Sequence, residues 1–191
     1  MDLHKINVKF FVEKGTEVSL HDFIPVFHRW IQDDKLEGML VDVTEYTHVY
    51  QGPGVLLIAH EANYSLDETD GRRGFLYAQK RVPEGKSDAH LKTAFRRALQ
   101  GAALLEKEPE FAGKLKFSTA HLQVMLNDRA SATPGSASQA EFEKQVKPVL
   151  DSLYGAGGYT LTAEKDPKKM AGFEVKASKG ASAEELVKKL G

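Results

Sequence analysis

The stretch 41–82 constrains the fold more than any other part of the chain, because two turn signals divide it into strands. In the Gly-Pro-Gly segment at 52–54, proline suits position i+1 of a type II turn, and the second glycine suits the positive φ of position i+2. The pair Asp70-Gly71 is a strong hairpin signal. We therefore predict three consecutive antiparallel strands, at about 40–50, 55–67 and 72–82.

Pairing across these turns predicts which side chains share a face of the sheet. The larger apolar set should face the helices and form the core. It comprises Val41, Val43, Val49, Leu56, Ile58, Ala62, Tyr64, Leu66, Phe75 and Tyr77. The opposite face is predicted to carry Tyr46, His48, Tyr50, Glu61, Asn63 and Lys80 among Val55, Leu57, Ala59 and Leu76. That second face would lie in solvent, wall a pocket or form the seam of a two-fold homodimer.

A polar row is predicted to cross the apolar face, where apolar residues would cost less free energy. The row consists of Glu45, Thr47, His60, Gln79 and Arg81. One interpretation is a satisfied ion-pair network near a strand end. The other is a ligand or acid–base cluster, because a histidine between a carboxylate and a guanidinium has a charge that is tunable near neutral pH. Together with the polar part of the second face, the candidate ligand-binding residues are Glu45, Tyr46, His48, His60, Glu61 and Arg81.

Composition narrows the class of protein. The chain has 191 residues, 41% hydrophobic and 28% charged, which is ordinary for a globular domain. A net charge of -1 provides no general attraction for nucleic acid, and the absence of cysteine excludes disulfides and thiolate chemistry. The first residues lead directly into an alternating strand, and no apolar run approaches membrane-spanning length. We expect a cytoplasmic protein that binds neither nucleic acid nor membrane.

Outside 41–82, strand and helix patterns alternate. A helix starts near Phe23 with Pro25 in its first turn, and its apolar stripe through Trp30 indicates core packing rather than a cofactor pocket. Ser87 and Asp88 are predicted to cap a second helix. The remaining predictions are strands at 5–13, 117–128, 159–164 and 173–177 and helices at 88–107, 139–154 and 183–190.

The two halves of the chain repeat a pattern. The stripe around Pro25 matches one around Pro148, with Val26 aligned to Val149 and Trp30 to Leu153; we predict both prolines in the first turns of equivalent helices. The segments 54–59 and 172–177 also align. We therefore predict one domain, 1–191, made of duplicated strand-helix-strand-strand-helix halves at 1–116 and 117–191.

Such halves would join their sheets about a pseudo-two-fold axis, giving an α+β domain with an antiparallel sheet and helices mainly on one face. This topology resembles that of the gyrase-inhibitor-like effector-binding domains and of the SOUL haem-binding family. The resemblance is architectural, and it implies a small-molecule site in the cleft between the halves. A tandem ferredoxin-like arrangement is the competing topology.

Sequence motifs for known chemistry are absent. The seven histidines include no helical pair with zincin spacing, no phosphate-binding loop is present, and no serine lies in a nucleophile elbow. The leading hypothesis is a non-enzymatic binding domain for a small ligand in the cleft or for a partner protein. The alternative is a small enzyme in which His60 acts as general acid or base, oriented by Glu45 and assisted by Arg81. The identity of any ligand or cofactor stays open, and no residue is assigned as a metal ligand.

Overall fold

The computed structural model describes Leu3 and residues 5–81 and 87–191. Within these residues the chain forms eight strands and four α-helices. They are β1 (Ile6–Val12), α1 (Phe23–Gln32), β2 (Leu40–Tyr46), β3 (Gly54–Ala59), β4 (Ala62–Asp67), β5 (Gly74–Gln79), α2 (Ser87–Lys107), β6 (Phe117–Leu126), α3 (Ala137–Tyr154), β7 (Tyr159–Ala163), β8 (Ala171–Ala177) and α4 (Ala183–Leu190). The predicted α+β class with an antiparallel sheet is confirmed.

All eight strands belong to one antiparallel sheet in the order β2-β3-β4-β5-β1-β6-β8-β7. Strand β1 lies near the middle and bonds to β5 on one side and to β6 on the other. Strands β2 and β7 are the two edges. The segments 1–116 and 117–191 therefore meet at the β1–β6 pair.

Side chains alternate between two faces along each strand, as the pleat requires. The core face bears Val8, Phe10, Leu57, Tyr64, Tyr77, Val124 and Val175, which are 0–1% exposed. These residues form one hydrophobic cluster with buried residues of all four helices, including Phe27, Leu99, Phe142 and Leu186. We call the opposite side, which bears Lys9, Leu76, Gln123 and Glu174, the outer face.

The predicted stripe of α1 is buried. Pro25 is the third residue of this helix, where its missing N–H removes no helical hydrogen bond. Trp30 is fully buried, and its indole N–H donates to the Glu108 carboxylate at 2.6 Å. Leu153 of α3 is also buried, at 1% exposure. The prediction that Trp30 and Leu153 both belong to the core is confirmed.

The prediction of three strands in 41–82 is wrong, because the stretch contains four. What was predicted as one strand at 55–67 is a hairpin, in which β3 and β4 are joined by His60-Glu61. This turn contains neither glycine, proline, asparagine nor aspartate, so it lacks the usual sequence signal. The other two turns are where they were expected, with positive φ at Gly54 (64°) and Asp70 (62°).

The missed turn also makes the predicted faces of β3 wrong, whereas the residues predicted for the core face in β4 and β5 are buried there. A shift of one residue moves a whole strand's side chains to the other face. Leu57 pairs with Tyr64 on the core face, and Val55, Leu57 and Ala59 are 0–2% exposed, so they cannot form a dimer seam. Leu56 and Ile58 lie on the outer face, while Val41 and Val49 are 56% and 40% exposed. The homodimer itself stays a prediction.

Two details of the predicted repeat are also wrong. Pro148 lies in the interior of α3, which begins eleven residues earlier at Ala137 behind an N-cap at Ser136. The strand that lies beside β1, as β8 lies beside β6, is β5 rather than β3. The duplication stays a prediction.

Two further predictions fall outside what the structure describes. Val82, the predicted last residue of the third strand, lies outside the described residues, as do the side chains of Ser87 and Asp88. No helix in the described part of the chain is long and apolar enough to cross a membrane.

Candidate functional site

A row of mostly polar side chains crosses the outer face from β4 to β7. Cross-strand pairing places its members directly opposite one another in adjacent strands. In order they are Ser65, Leu76, Lys9, Gln123, Glu174 and Thr162. Because both segments of the chain supply strands to this row, it is continuous across the β1–β6 junction.

Lys9 is the most deeply buried member of the row with a formal charge. Its side chain is 2% exposed, although it lies on the face away from the hydrophobic core. The ammonium Nζ donates to the carboxylate of Asp67 at 2.5 Å, and the Asp67 side chain is 6% exposed. Removal of two charges from water carries a desolvation cost of several kcal/mol for each ion, which the pairing must offset.

The backbone beside Lys9 makes this pair possible. A Cβ at Gly74, which pairs with Asp67 across β4 and β5, would lie 2.8 Å from Cε of Lys9. Glycine therefore leaves the space in which the lysine side chain crosses β5 to the carboxylate. Asp67 also accepts hydrogen bonds from the Thr69 hydroxyl at 2.7 Å and from the Thr69 backbone N–H at 3.2 Å. Burial lowers the pKa of Lys9, and the charge of Asp67 opposes that shift.

A second charged cluster lies beside this pair. The Arg72 guanidinium donates to Glu174 at 2.8 Å and lies 3.8 Å from the ring centre of Phe11. Nε2 of His121 is 2.7 Å from Oε1 of Glu174. Burial would raise the pKa of Glu174, but hydrogen bonds from Arg72 and His121 outweigh it and lower the pKa to about 2. Glu174 is therefore an anion throughout the neutral range.

Two connecting segments rise on either side of the row. One is the turn Thr69–Gly71, and the other is the β7–β8 connection, residues 164–170. Lys169 joins them through an ion pair with Asp70 at 2.7 Å. At the base of the second segment, the buried Gln139 amide donates to the backbone carbonyls of Glu164 (3.1 Å) and Gly172 (2.9 Å). Both segments are thus held to the body of the domain.

The two segments and most of the row line an open cavity of about 420 Å³. This volume lies within the range of small-molecule sites. The lining includes Lys9, Asp67, Asp70 and Leu76 from the first segment of the chain and Gln123, Met125, Arg129, Thr162, Lys168 and Glu174 from the second. A second concavity of about 440 Å³ lies between α2 and α4, but its lining includes no buried ionisable side chain.

The predicted row of Glu45, His60 and Arg81 is not assembled. Glu45 lies opposite Val55 near the start of β3, whereas His60 follows the end of that strand. The five residue steps from Val55 to His60 separate them by roughly 17 Å. Glu45 contacts His21 at 3.6 Å, and His60 contacts Glu61 at 3.4 Å. The arrangement predicted for an acid–base cluster is therefore wrong.

The remaining candidates divide between the two ends of β3. Tyr46 and His48 are exposed near the β2–β3 connection, with ring centres 6.3 Å apart. Glu61 lies in the β3–β4 turn, and its backbone carbonyl accepts the backbone N–H of Arg81 at 3.1 Å. None of the six candidates lines the 420 Å³ cavity. A role for them in ligand binding stays a prediction.

Sequence reasoning missed Lys9, Asp67, Gln123 and Glu174. Lys9 alternates with Val8 and Phe10, so the strand pattern alone places it on the less apolar side of β1. The sequence contains one indication that this side of β1 is buried: Phe11, a large apolar residue, lies on the same side as Lys9. Among the described residues, no group of three or more His, Asp or Glu side chains is placed to hold a metal ion.

Comparison with known proteins provides no family for this chain. No protein-family model matches the sequence, and no curated protein shows significant similarity to it.

Proposed function

We propose that this protein is a binding domain for a small anionic molecule, which occupies the outer-face cavity between the segments 1–116 and 117–191. The observation that carries the proposal is a cavity of about 420 Å³ with a buried Lys9–Asp67 pair at its lining. Concave sites with a few well-placed polar groups are the usual form of ligand sites. The cavity supports the leading sequence hypothesis of a ligand in a cleft between the halves.

Charge pairing around the cavity favours an anion. Each lining carboxylate is engaged: Asp67 with Lys9, Asp70 and Glu164 with Lys169, and Glu174 with Arg72, His121 and Lys176. Two cations of the lining, Arg129 and Lys168, are not paired with a carboxylate in the described part of the chain. Arg129 donates only to the backbone carbonyl of Lys168, and the Lys168 ammonium has no carboxylate partner within the described ranges. An anionic ligand would complete these two contacts.

Neutral groups in the row would orient the ligand. In the described part of the chain, the side-chain amide of Gln123 and the hydroxyl of Thr162 make no hydrogen bond to protein. The apolar side chains of Leu76, Met125 and Met170 line the same space. We expect a ligand with one carboxylate or similar oxoanion, a hydrogen-bonding group and a short apolar part.

Calorimetry with small carboxylates tests the proposal. We use lactate and succinate as probes, with the uncharged propane-1,2-diol as the matched neutral compound. Lactate should bind, and Arg129→Ala and Lys168→Ala should each weaken its binding about tenfold, because a charge-assisted hydrogen bond contributes about 1.5–3 kcal/mol. Lys144→Ala removes an exposed lysine outside the cavity and should leave binding unchanged.

Equal binding of the diol, or equal losses in Lys144→Ala and Arg129→Ala, would contradict an anion site. Binding that falls only in the Arg129 and Lys168 variants, and that weakens with added salt, supports it.

The enzyme alternative now depends on His60 alone. Its side chain is 44% exposed, so substrate can reach it, but Glu45 is not there to orient it. A panel of generic esterase, phosphatase and isomerase substrates against the native protein and His60→Ala remains its test. No activity, or equal activity in both, removes this alternative.

A second copy of the chain is the partner that the edge of the sheet favours. Exposed apolar side chains cluster on and beside edge strand β2: Met39, Val41, Tyr46, Val49 and Tyr50. An open edge strand can pair with its own copy about a two-fold axis. Sedimentation at micromolar concentration should then show a dimer, and a single species of 21.1 kDa would contradict it.

We also retain the duplicated origin of the halves, helices mainly on one face of the sheet and a cytoplasmic location as proposals. The central strand order β5-β1-β6-β8 supports the duplication, since it is symmetric about the β1–β6 pair. Both flanking strands contain Gly-Phe, at 74–75 and at 172–173.

A further inference from the structure

Lys9 differs from a lysine that merely holds a fold together, because its buried amine borders a ligand-sized cavity. Its strand is bonded on both sides, to β5 and to β6, so the position of the Lys9 backbone is fixed. The side chain is 2% exposed, yet the residue lines the 420 Å³ cavity. A small molecule in that cavity would lie against the Lys9 side chain.

Asp67 gives this amine a route to its reactive form. Only an unprotonated amine attacks a carbonyl carbon, and desolvated lysines are the ones that form imines. The Asp67 carboxylate lies 2.5 Å from the ammonium, so it can accept a proton with no movement of either residue. The Thr69 hydroxyl and backbone N–H hold that carboxylate in place.

We propose that Lys9 reversibly captures a 2-oxo acid or an aldehyde acid as an imine. Its ammonium first transfers a proton to Asp67, and the free amine then adds to the carbonyl carbon of the ligand. The resulting carbinolamine loses its hydroxyl group as water, with the proton that Asp67 had accepted. The products are a protonated imine on Lys9, one water molecule and the regenerated Asp67 carboxylate, so atoms and charge balance without an oxidant or reductant.

The ligand class follows from the two kinds of group in the cavity. This step rests on the proposed function, in which Arg129 and Lys168 contact the carboxylate of the ligand. The carbonyl group must then lie toward Lys9, within the same cavity. A small acid that carries a carbonyl group as well as its carboxylate satisfies both requirements. The lowered pKa of Lys9, caused by burial, favours its unprotonated form over that of an exposed lysine.

Reductive trapping on the native protein tests the imine. The probe is glyoxylate with cyanoborohydride at neutral pH, which converts an imine into a stable carboxymethyl amine. Peptide mass spectrometry then measures the modification rate of each lysine. Lys9 should react at least about tenfold faster than Lys144, because Asp67 accepts its proton and the cavity holds the acid beside it. Lys144 is the matched reference because its side chain is 76% exposed and lies outside the cavity.

A Lys9 rate equal to or below that of Lys144 overturns the proposal. Asp67→Asn provides a second test, since it keeps the shape of the side chain but removes the proton acceptor. We expect at least about a tenfold loss of Lys9 labelling in this variant, with Lys144 unaffected, because the carbinolamine loses the acid that protonates its departing hydroxyl group. This loss should outweigh the further lowering of the Lys9 pKa that follows from removal of the Asp67 charge. If Asp67→Asn does not fold, as judged by circular dichroism, the comparison of lysines within the native protein still decides.

Lactate distinguishes failure of this inference from failure of the proposed function, because it carries the carboxylate without a carbonyl. Lactate binding without preferential Lys9 labelling would support the anion site and contradict the imine. Preferential labelling that lactate suppresses supports both. Absence of lactate binding and of labelling would overturn both.

Discussion

The central strand β1 and the edge strand β2 have opposite relations between polarity and burial. In β1, Lys9 is a charged residue with a side chain that is only 2% exposed. In β2, Val41 is an aliphatic residue that is 56% exposed. Val41 lies where the β2–β3 register shifts between Leu40 and Asp42, and β1 has a similar shift between Phe10 and Val12 in its pairing with β6. The polarity of a residue in a strand therefore does not by itself determine whether it is buried.

Position in the sheet explains the difference. Strand β1 has a neighbour on each side, and the segments 69–71 and 164–170 flank the row on its outer face. Strand β2 has a neighbour only in β3. A central strand therefore buries even its polar side, and the charges there require partners, whereas an edge strand exposes apolar side chains at little cost.

The largest expected effect comes from the same charged substitution at a core site in β3 and at a site in the edge strand β2. Leu57→Glu places a carboxylate in the core, where Leu57 is 0% exposed, and should cost more than about 4 kcal/mol. Val41→Glu adds the same group to the exposed edge and should change stability by less than about 0.5 kcal/mol. Urea denaturation measures both values. Similar losses at the two sites would break the comparison.

Removal of one member of the buried ion pair should have the next largest effect. Asp67→Ala leaves the Lys9 ammonium buried without a partner, and we expect a loss of about 3–5 kcal/mol. The double variant Lys9→Met, Asp67→Leu should lose much less, because neither charge remains. Glu143→Ala breaks the exposed pair with Lys147 and should cost less than about 1 kcal/mol. A double variant as unstable as Asp67→Ala would refute this account.

Core truncations in the two segments of the chain should destabilise to a similar extent. Trp30→Ala and Leu153→Ala each remove a buried side chain, and we expect losses of about 2–5 kcal/mol in thermal or urea unfolding. Val49→Ala, at a site that is 40% exposed, is the control and should cost less than about 0.5 kcal/mol. A loss below about 1 kcal/mol at Leu153 would contradict its packing in the core.

The smallest effect depends on pH. The pKa of Glu174 in the folded protein is about 2, below its ordinary value of 4.5, so its stabilisation is complete above 4.5 and disappears as pH falls through 2. Glu174→Gln should therefore cost about 1 kcal/mol near neutral pH, with the deficit relative to the native protein shrinking below pH 4.5. Urea titrations at several pH values measure this trend. A deficit that is independent of pH would exclude the charge as its cause.

Local patterns predicted much of the fold. The helices Phe23–Gln32 and Ala183–Leu190 and the strand beginning at Phe117 agree closely with expectation, since each depends on spacings within a few residues. The turn at His60-Glu61 could not be predicted, because it contains none of the residues that usually mark a turn, such as glycine, proline, asparagine or aspartate. That single omission inverted the faces of β3.

The candidate site was harder to predict from the sequence than the fold. The sequence predicts Glu45 and His60 on one face only if 55–67 is a single strand. The turn at His60-Glu61 divides that strand and separates the two residues. Lys9 and Asp67 are 58 residues apart in the chain, and no pattern within either strand relates them. Gly74, whose missing side chain makes room for Lys9, contributes to the site only through its position beside β1.

The sequence by itself determined the α+β class, most element bounds and the burial of Trp30 and Leu153, because helix and strand periodicities are set by a residue's near neighbours. Only the tertiary structure decided the order of the strands, and with it the burial of Lys9 and the formation of the outer-face cavity. Burial depends on what lies on each side of a strand, and those neighbours come from distant parts of the chain. A period of two residues indicates that the two faces of a strand differ in polarity, but it does not indicate what packs against either face.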